Sequence, residues 1–224
     1  MKAIVLLSGG LDSTTALYAA RRDGNIPVCL SIHYGQLHER ELASAKKIAA
    51  SLKLEHWIIP ISLPWGGSAL TDNHIGVPKH RNEAEMSKEI PATYVPARNS
   101  IFLSLAASLA EAKGADSIYL GANVLDYSGY PDCRPEFLES FEAMIRLGTK
   151  AGVEGRQLRI VAPLLRLSKS EIVRLGQELG VPFEWTWSCY EGGEFPCAEC
   201  DSCILRAKGF LEAGIEDPLL AEKK

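Results

Sequence analysis

Ser8-Gly9-Gly10-Leu11-Asp12-Ser13-Thr14 decides how this chain reads. Before it, Ala3-Ile4-Val5-Leu6-Leu7 is a short apolar run of the kind that makes a buried strand. After it, Thr15 to Arg22 reads as the first turns of a helix. A strand that ends in a Gly-containing loop and feeds a helix gathers unsatisfied backbone N–H groups at one point, and the helix dipole adds partial positive charge there. The loop is therefore ready to hold an anion. Gly9 and Gly10 let backbone approach a ligand, while Ser8, Ser13 and Thr14 add hydroxyl donors. No lysine follows Gly10, so the Walker pattern fails, and adjacent glycines do not make G-x-G-x-x-G. Asp12 would be repelled by a polyphosphate unless a cation lay between them. It suits either a Mg²⁺ ligand or a helix cap. The plain alternative is an ordinary Gly-Gly turn with a polar cap.

S-G-G-L-D-S-T-T resembles the pyrophosphate loop of the ATP pyrophosphatases, enzymes that adenylate a carbonyl oxygen and release pyrophosphate. That superfamily includes NAD and GMP synthetases, several tRNA-modifying enzymes and the 7-cyano-7-deazaguanine synthases. The resemblance implies that ATP is held by Leu7, Ser8, Gly9, Gly10, Leu11, Asp12, Ser13, Thr14, Thr15, Ala16 and Leu17.

A chain of 224 residues can bury a substantial core as one unit. Its 24 Lys plus Arg against 28 Asp plus Glu give a net charge of −4, which argues against a broad nucleic-acid footprint. No apolar run approaches membrane-spanning length, and the N-terminal apolar stretch is too short for a signal peptide. A cytoplasmic protein with neither nucleic-acid nor membrane partners is expected. Six cysteines then point to metal or redox chemistry before disulfides.

Further strands are expected at Pro27–Tyr34, His56–Ile59, Ser117–Gly121 and Leu158–Ala162, and helices at Glu39–Leu52, from Arg98 to about Lys113, and from about Pro135. Cys29 reads as a small core residue. His33 and Tyr34 end their strand where open α/β sheets bind ligands, though a plain strand-end role fits them equally. Pro60 to Ala97 shows no persistent face and reads as a lid or insertion, or as disorder. Y-V-P-A-R-N-S is similar to a nucleotide-proximal segment of the deazaguanine synthases, with Ala97 where many relatives carry glycine. Arg98 is either a phosphate contact or a surface arginine. Ser168-Lys169-Ser170-Glu171 is a capping box, and Lys169 at that helix start reaches a phosphate or simply sits at the surface.

G-A-N-V-L-D-Y-S-G-Y-P-D-C-R-P-E-F packs tyrosines, acids and an arginine between a strand and a helix. A flat heterocycle needs an aromatic face, a guanine-like edge needs a carboxylate acceptor, and a carboxylate substituent wants an arginine fork. Tyr127 or Tyr130, Asp126 or Asp132, and Arg134 supply these chemistries. The alternative is a polar tyrosine-containing loop capped by Pro135. The segment strongly resembles the corresponding one of the 7-cyano-7-deazaguanine synthases.

Cys189, Cys197, Cys200 and Cys203 are spaced C-x7-C-x2-C-x2-C, which matches a closed, structural four-thiolate zinc site. An iron–sulfur cluster is the rival, but the usual bacterial run continues to another cysteine and proline, and Ile204-Leu205-Arg206-Ala207 offers neither.

The expected fold is α/β: a mostly parallel five-stranded sheet with helices on both faces and ATP at the C-terminal strand ends. It forms one unit over 1–224, with 184–224 its zinc-binding subregion. The resemblance runs in order through nearly the whole chain. It implies conversion of 7-carboxy-7-deazaguanine and ammonia to the nitrile, with ATP, Mg²⁺ and Zn²⁺. It also implies Asp12, Ser13, Arg98 and Lys169 as the catalytic set, and a homodimer. With no cysteine after Met1 and no second domain visible, free ammonia is the expected donor. Two rivals stand beside this reading: a tRNA-thiolating member of the superfamily, and a non-catalytic zinc-ribbon module.

Overall fold

The computed structural model describes residues 1–86, 88–124 and 130–221. Five strands form one sheet: β1 (Lys2–Leu6), β2 (Ile26–His33), β3 (Glu55–Pro60), β4 (Ser117–Tyr119) and β5 (Arg159–Val161). The order is β3-β2-β1-β4-β5, and every neighbouring pair is parallel. All five lie where the apolar runs predict them, within a residue or two at their ends. A parallel pair needs a crossover, and here the crossovers are helices. They are α1 (Leu11–Arg22), α2 (Arg40–Ser51), the single turn α3 (Glu83–Met86) with α4 (Arg98–Lys113), and α5 (Pro135–Gly148) with the turn α6 (Lys150–Val153); α7 (Lys169–Leu179), α8 (Asp201–Ala213) and the turn α9 (Pro218–Ala221) follow the last strand.

Side chains alternate across β1, which is why both faces of the sheet need cover. Ala3, Val5 and Leu7 point to a layer with Leu17 and Ala20 of α1 and Ala45, Ile48 and Ala49 of α2. Ile4, with Val28, Leu30 and Ile118, faces Leu103, Ala106 and Ala110 of α4 and Leu138, Phe141 and Ile145 of α5. Cys29 is wholly buried in the first layer, and that burial pushes its thiol up to about 12, so it is inert packing. A third cluster joins Leu11 and Ala16 of α1 to Ile172 and Val173 of α7 and Phe210 of α8, bringing the C-terminal helices beside the first loop.

The strand order reverses between β1 and β4. Crossovers leave this point in opposite directions, and the loops after the two strands open a crevice there. The site stands at this position.

The segment 60–97 is packed rather than detached. Leu63, Leu70 and Val95 join the core, Ala69 N–H donates to Ala92 O at 2.8 Å, and Leu37 N–H donates to Leu70 O at 3.1 Å. Ala97, which precedes α4, lies in the left-handed region with φ +54°. Any residue with a Cβ is strained there, whereas glycine would not be.

Candidate active site

Helix α1 starts at Leu11, four residues before the sequence reading placed it, with Gly10 as N-cap. Asp12, Ser13 and Thr14 are therefore the first helical turn rather than loop. Asp12 does not cap the helix, and no side chain does. Ser13 Oγ organises the turn: it accepts from Ser8 N–H and Gly9 N–H at 3.2 Å each and lies 2.9 Å from Ser8 Oγ. Thr14, fully buried, donates to Gly10 O at 2.8 Å, and Thr15 to Leu11 O at 2.9 Å, so these hydroxyls face the helix. The glycines also differ. Gly10 lines the crevice, whereas Gly9, at φ +94°, is pressed on α2: a Cβ there would lie 2.1 Å from Glu41 O and 2.6 Å from Ala45 N. Gly9 thus serves the seating of the loop on α2, not the approach of a ligand.

The crevice is a cavity of about 280 Å³. Leu7, Ser8, Gly10, Leu11, Asp12 and Ser13 form one end, and Gly121 to Asn123, after β4, form its floor. Thr15, Ala16 and Leu17 lie behind it in the core. Lys169 reaches this end from the start of α7, where the Ser168–Glu171 capping box is present as the sequence indicates. Its Nζ donates to both Asp12 carboxylate oxygens at 2.9 Å. It gets there by running along α8, where a Cβ on Gly209 would meet Lys169 Cγ at 2.3 Å. Two residues 157 apart in sequence thus make a charge pair at the helix N-terminus.

Arg98 enters the opposite wall from the first turn of α4. Its guanidinium lies over the Tyr34 ring at 5.8 Å and the Phe102 ring at 6.0 Å, and its Nη1 is 3.4 Å from Tyr34 Oη. Burial works against the charge, yet the Tyr34 and Tyr130 oxygens and Asp132 around it raise its pKa, so it stays cationic. Tyr34 is buried on the cavity wall, whereas His33 pairs with Glu39 at 3.3 Å outside it.

Tyr130 lines the cavity, with its hydroxyl 2.8 Å from Thr93 Oγ1 and its ring 6.0 Å from that of Tyr94. Asp132 is buried and turned toward α4: its Oδ2 accepts from Asn99 N–H at 3.1 Å, and its carbonyl accepts from Asn99 Nδ2 at 3.0 Å. It ties the segment to the open N-terminus of α4. Arg134 is exposed at the N-cap of α5, where its Nε donates to Pro131 O at 3.2 Å, and it is not among the cavity-lining residues. Asp126 and Tyr127 lie outside the described residues.

The four cysteines converge. Their sulfurs all lie within 4.8 Å of one another, and none forms a disulfide. Tetrahedral Zn–S bonds of about 2.3 Å set sulfurs about 3.8 Å apart, close to the 3.9 Å between Cys197 and Cys203. Backbone N–H groups of Glu191 and Cys197 donate to Cys189 Sγ, and those of Glu199 and Cys200 donate to Cys197 Sγ, at 3.3–3.4 Å. Donors to Cys189, first the Cys200 and Cys203 thiols, lower its pKa; the same contacts raise Cys200 and Cys203. Four thiolates cannot share so small a space without a cation, so the donor set fits a bound metal. The knuckle also anchors the 60–97 segment. Lys79 bridges Cys200, His80 N–H donates to Glu199 O at 2.9 Å, and Arg81 pairs with the fully buried Asp201.

Glu41, His38, Asn123, Cys133, Tyr190 and Arg206 also line the cavity, and the sequence reading missed them. For His38 and Glu41 a signal existed: Y-G-Q-L-H-E-R-E follows the C-terminal end of β2, where ligands bind in such sheets. Arg206 gave none. It is buried in α8, paired with Asp217 at 2.6 Å and bonded to Thr186 Oγ1 at 2.8 Å, and it holds the chain between α7 and the knuckle against the C-terminus.

A parallel sheet with a helix-starting glycine loop at its switch point, closed by a carboxylate–lysine pair, defines a doubly wound, Rossmann-like α/β protein. Comparison with solved structures agrees on the fold. The chain aligns over 99% of its length with a 4-thiouridine synthetase solved in complex with RNA and ATP, at TM-score 0.51 and 24% identity, and spans 49% of that chain. A second likeness, at TM-score 0.50 and 17% identity, is to a predicted subunit of a tRNA methyltransferase from Methanocaldococcus jannaschii, covering 80% of this chain and 75% of that one. Residues 2–214 match the family described as "Queuosine biosynthesis protein QueC", and the chain belongs to that family. Relatives named 7-cyano-7-deazaguanine synthase include one from Trichodesmium erythraeum, 55% identical with 98% of this chain and all of the relative covered. Another, from Anaeromyxobacter sp. strain Fw109-5, is 56% identical over 100% and 97% of the two chains.

Proposed function

We propose that this protein uses ATP to convert 7-carboxy-7-deazaguanine and ammonia into 7-cyano-7-deazaguanine, a queuosine precursor. The observation that carries it is one cavity with an anion-holding helix start at one end and an arginine–tyrosine wall at the other. A carboxylate is a poor electrophile. Transfer of AMP to its oxygen makes a mixed anhydride, ammonia displaces AMP to give the amide, and a second adenylation at the amide oxygen allows elimination to the nitrile. Each turnover then uses two ATP. Both adenylations expel pyrophosphate, so a loop built to hold a polyanion serves both.

The amides of Gly10 to Ser13, with the Ser8 and Ser13 hydroxyls, hold the leaving pyrophosphate, and Lys169 stabilises charge developing on it, while Arg98 stands across the cavity. Asp12 is the residue suited to Mg²⁺, which when bound neutralises phosphate charge. Tyr130, with Asp126 and Tyr127, is assigned to the heterocycle. The sequence reading gives the acid end of the substrate to Arg134; its exposed position outside the cavity favours Arg98 for that contact instead. Zn²⁺ in the cysteine knuckle has a structural role, because four thiolates leave no open position for a reacting group.

Pyrophosphate release that depends on 7-carboxy-7-deazaguanine and ammonia, unchanged by added tRNA, is the expected result. Release that requires tRNA would replace this reading with the thiolating one.

A further inference from the structure

Making a nitrile from an acid and ammonia sheds protons, and something in the cavity has to take them. In the first half, the C–N bond forms, the C–O bond to AMP breaks with its electron pair leaving on AMP, and the nitrogen loses one proton. In the second half, the amide oxygen bonds to the α-phosphorus as pyrophosphate leaves, and one N–H proton departs. The C–O bond then breaks, and the remaining N–H proton departs as C≡N forms. At neutral pH ammonia also arrives chiefly as ammonium, which has no lone pair.

Most titratable groups on the cavity wall are unsuited. Asp12 has both oxygens on Lys169. Burial raises the pKa of Tyr34 and Tyr130 and pushes the Cys133 thiol up to about 11. Arg98 is a cation. Glu41 remains. It projects from the first turn of α2 onto the phosphate loop, its Oε1 3.7 Å from where a Cβ on Gly10 would stand, and no hydrogen bond or ion pair engages its carboxylate among the described residues. Three residues earlier, His38 also lines the cavity, and its Nδ1 is a buried polar atom with no hydrogen-bond partner. His38 lies just before α2 and Glu41 in its first turn, and both line the same cavity.

We propose that the start of α2 is the site that receives the amine, with Glu41 the catalytic base that takes its proton and His38 Nδ1 a second acceptor that positions it. This rests on ammonia being the nitrogen donor. Two features support the roles. Burial, with Cys189 adding to it and Arg98 opposing it, pushes Glu41 up to about 7, where it both accepts and releases protons. Burial lowers the pKa of His38 against Cys189 and Glu191, with Arg40 adding to the lowering, so the ring is neutral and Nδ1 carries a lone pair in the Nε2–H tautomer.

The test separates adenylation from nitrogen transfer. Glu41→Gln should lower ammonia-dependent product formation at pH 7 by ~10²-fold or more, the usual scale for losing a general base. ATP–pyrophosphate exchange with the acid substrate and no ammonia should stay within about two-fold of wild type. Hydroxylamine, unprotonated at neutral pH, should be converted to the hydroxamate with release of AMP in the variant nearly as in wild type, and Glu41→Asp should keep part of the ammonia activity. His38→Gln should raise the KM for ammonia ~10-fold and leave that for ATP alone. Equal loss of exchange and synthesis in both Glu41 variants would make Glu41 a nucleotide or structural residue and overturn the site, as would unaltered synthesis in Glu41→Gln. Wild-type protein that shows exchange but no ammonia-dependent product would sink the proposed nitrogen donor, and this site with it.

Discussion

The two ends of the cavity are built by different means. The phosphate end is closed mainly by residues four and five apart: Ser13 Oγ gathers the N–H groups of Ser8 and Gly9, and Gly10 caps the helix they lead into. The opposite wall is assembled from distant segments. Tyr130 meets Thr93 across 37 residues, Asn99 meets Asp132 across 33, and Arg98 meets Tyr34 across 64. The difference is one of cooperativity. A local turn keeps its shape as long as the strand and helix beside it stand, whereas a composite wall depends on every segment that contributes to it.

Five measurements would break or sharpen that contrast. The largest effect is expected at the local end. Asp12→Ala should lower acid-dependent pyrophosphate release ~10³-fold or more, about 4 kcal/mol in the transition state, with the melting curve little changed. Near-normal release from the folded variant would remove Asp12 from the chemistry.

Cys200→Ser tests the composite end from a distance. One zinc per chain is expected in the purified protein, and the variant should lose metal together with several kcal/mol of stability. Proteolysis within 60–97 should become faster, because Lys79 to Arg81 lean on the knuckle. Iron with visible absorbance, or a stable metal-free protein, would contradict this.

Arg98 and Arg134 make a matched pair. Truncating a cavity arginine that meets a charged group costs ~2–5 kcal/mol, roughly thirty-fold or more in affinity. Arg98→Ala should therefore raise the KM for the acid far above that for the neutral amide, while exposed Arg134→Ala should shift both by less than about two-fold. The reverse result would return the acid end to Arg134, as its place in the motif suggests.

Glu41 gives a pH test. Its folded pKa lies above the ordinary carboxylate value of 4.5, so the folded state holds the proton more tightly than the unfolded chain does. Stability should be greatest below that value and should fall as pH rises toward 7. Glu41→Gln should remove the slope and be more stable than wild type above pH 7, by on the order of 1–3 kcal/mol in urea melts. Parallel wild-type and variant profiles would show that Glu41 is not desolvated.

Ala97→Gly should have the smallest effect. Relieving the left-handed strain should stabilise the protein by about 0.5–1 kcal/mol, measured as a higher melting temperature. A loss instead would mean that restricting the unfolded chain outweighs the strain.

Much of this was legible in the residues themselves. The five strands follow from apolar runs, the α7 start from its capping box, the convergence of four cysteines from their spacing, and the strand–loop–helix turn from S-G-G. These are short-range signals, carried by residues a few positions apart whose contacts the chain cannot avoid. Tertiary structure alone decided what lies across from what. Lys169 meets Asp12 because α7 packs against α1 and α8 leaves room at Gly209. Gly9 is required because α2 presses on it, Asp132 turns to α4 rather than into the cavity, and Glu41 is a cavity carboxylate because the loop after β2 folds over the phosphate end. Such roles depend on which elements pack together, and that is set by burying the faces of all of them at once, which no local stretch of sequence encodes.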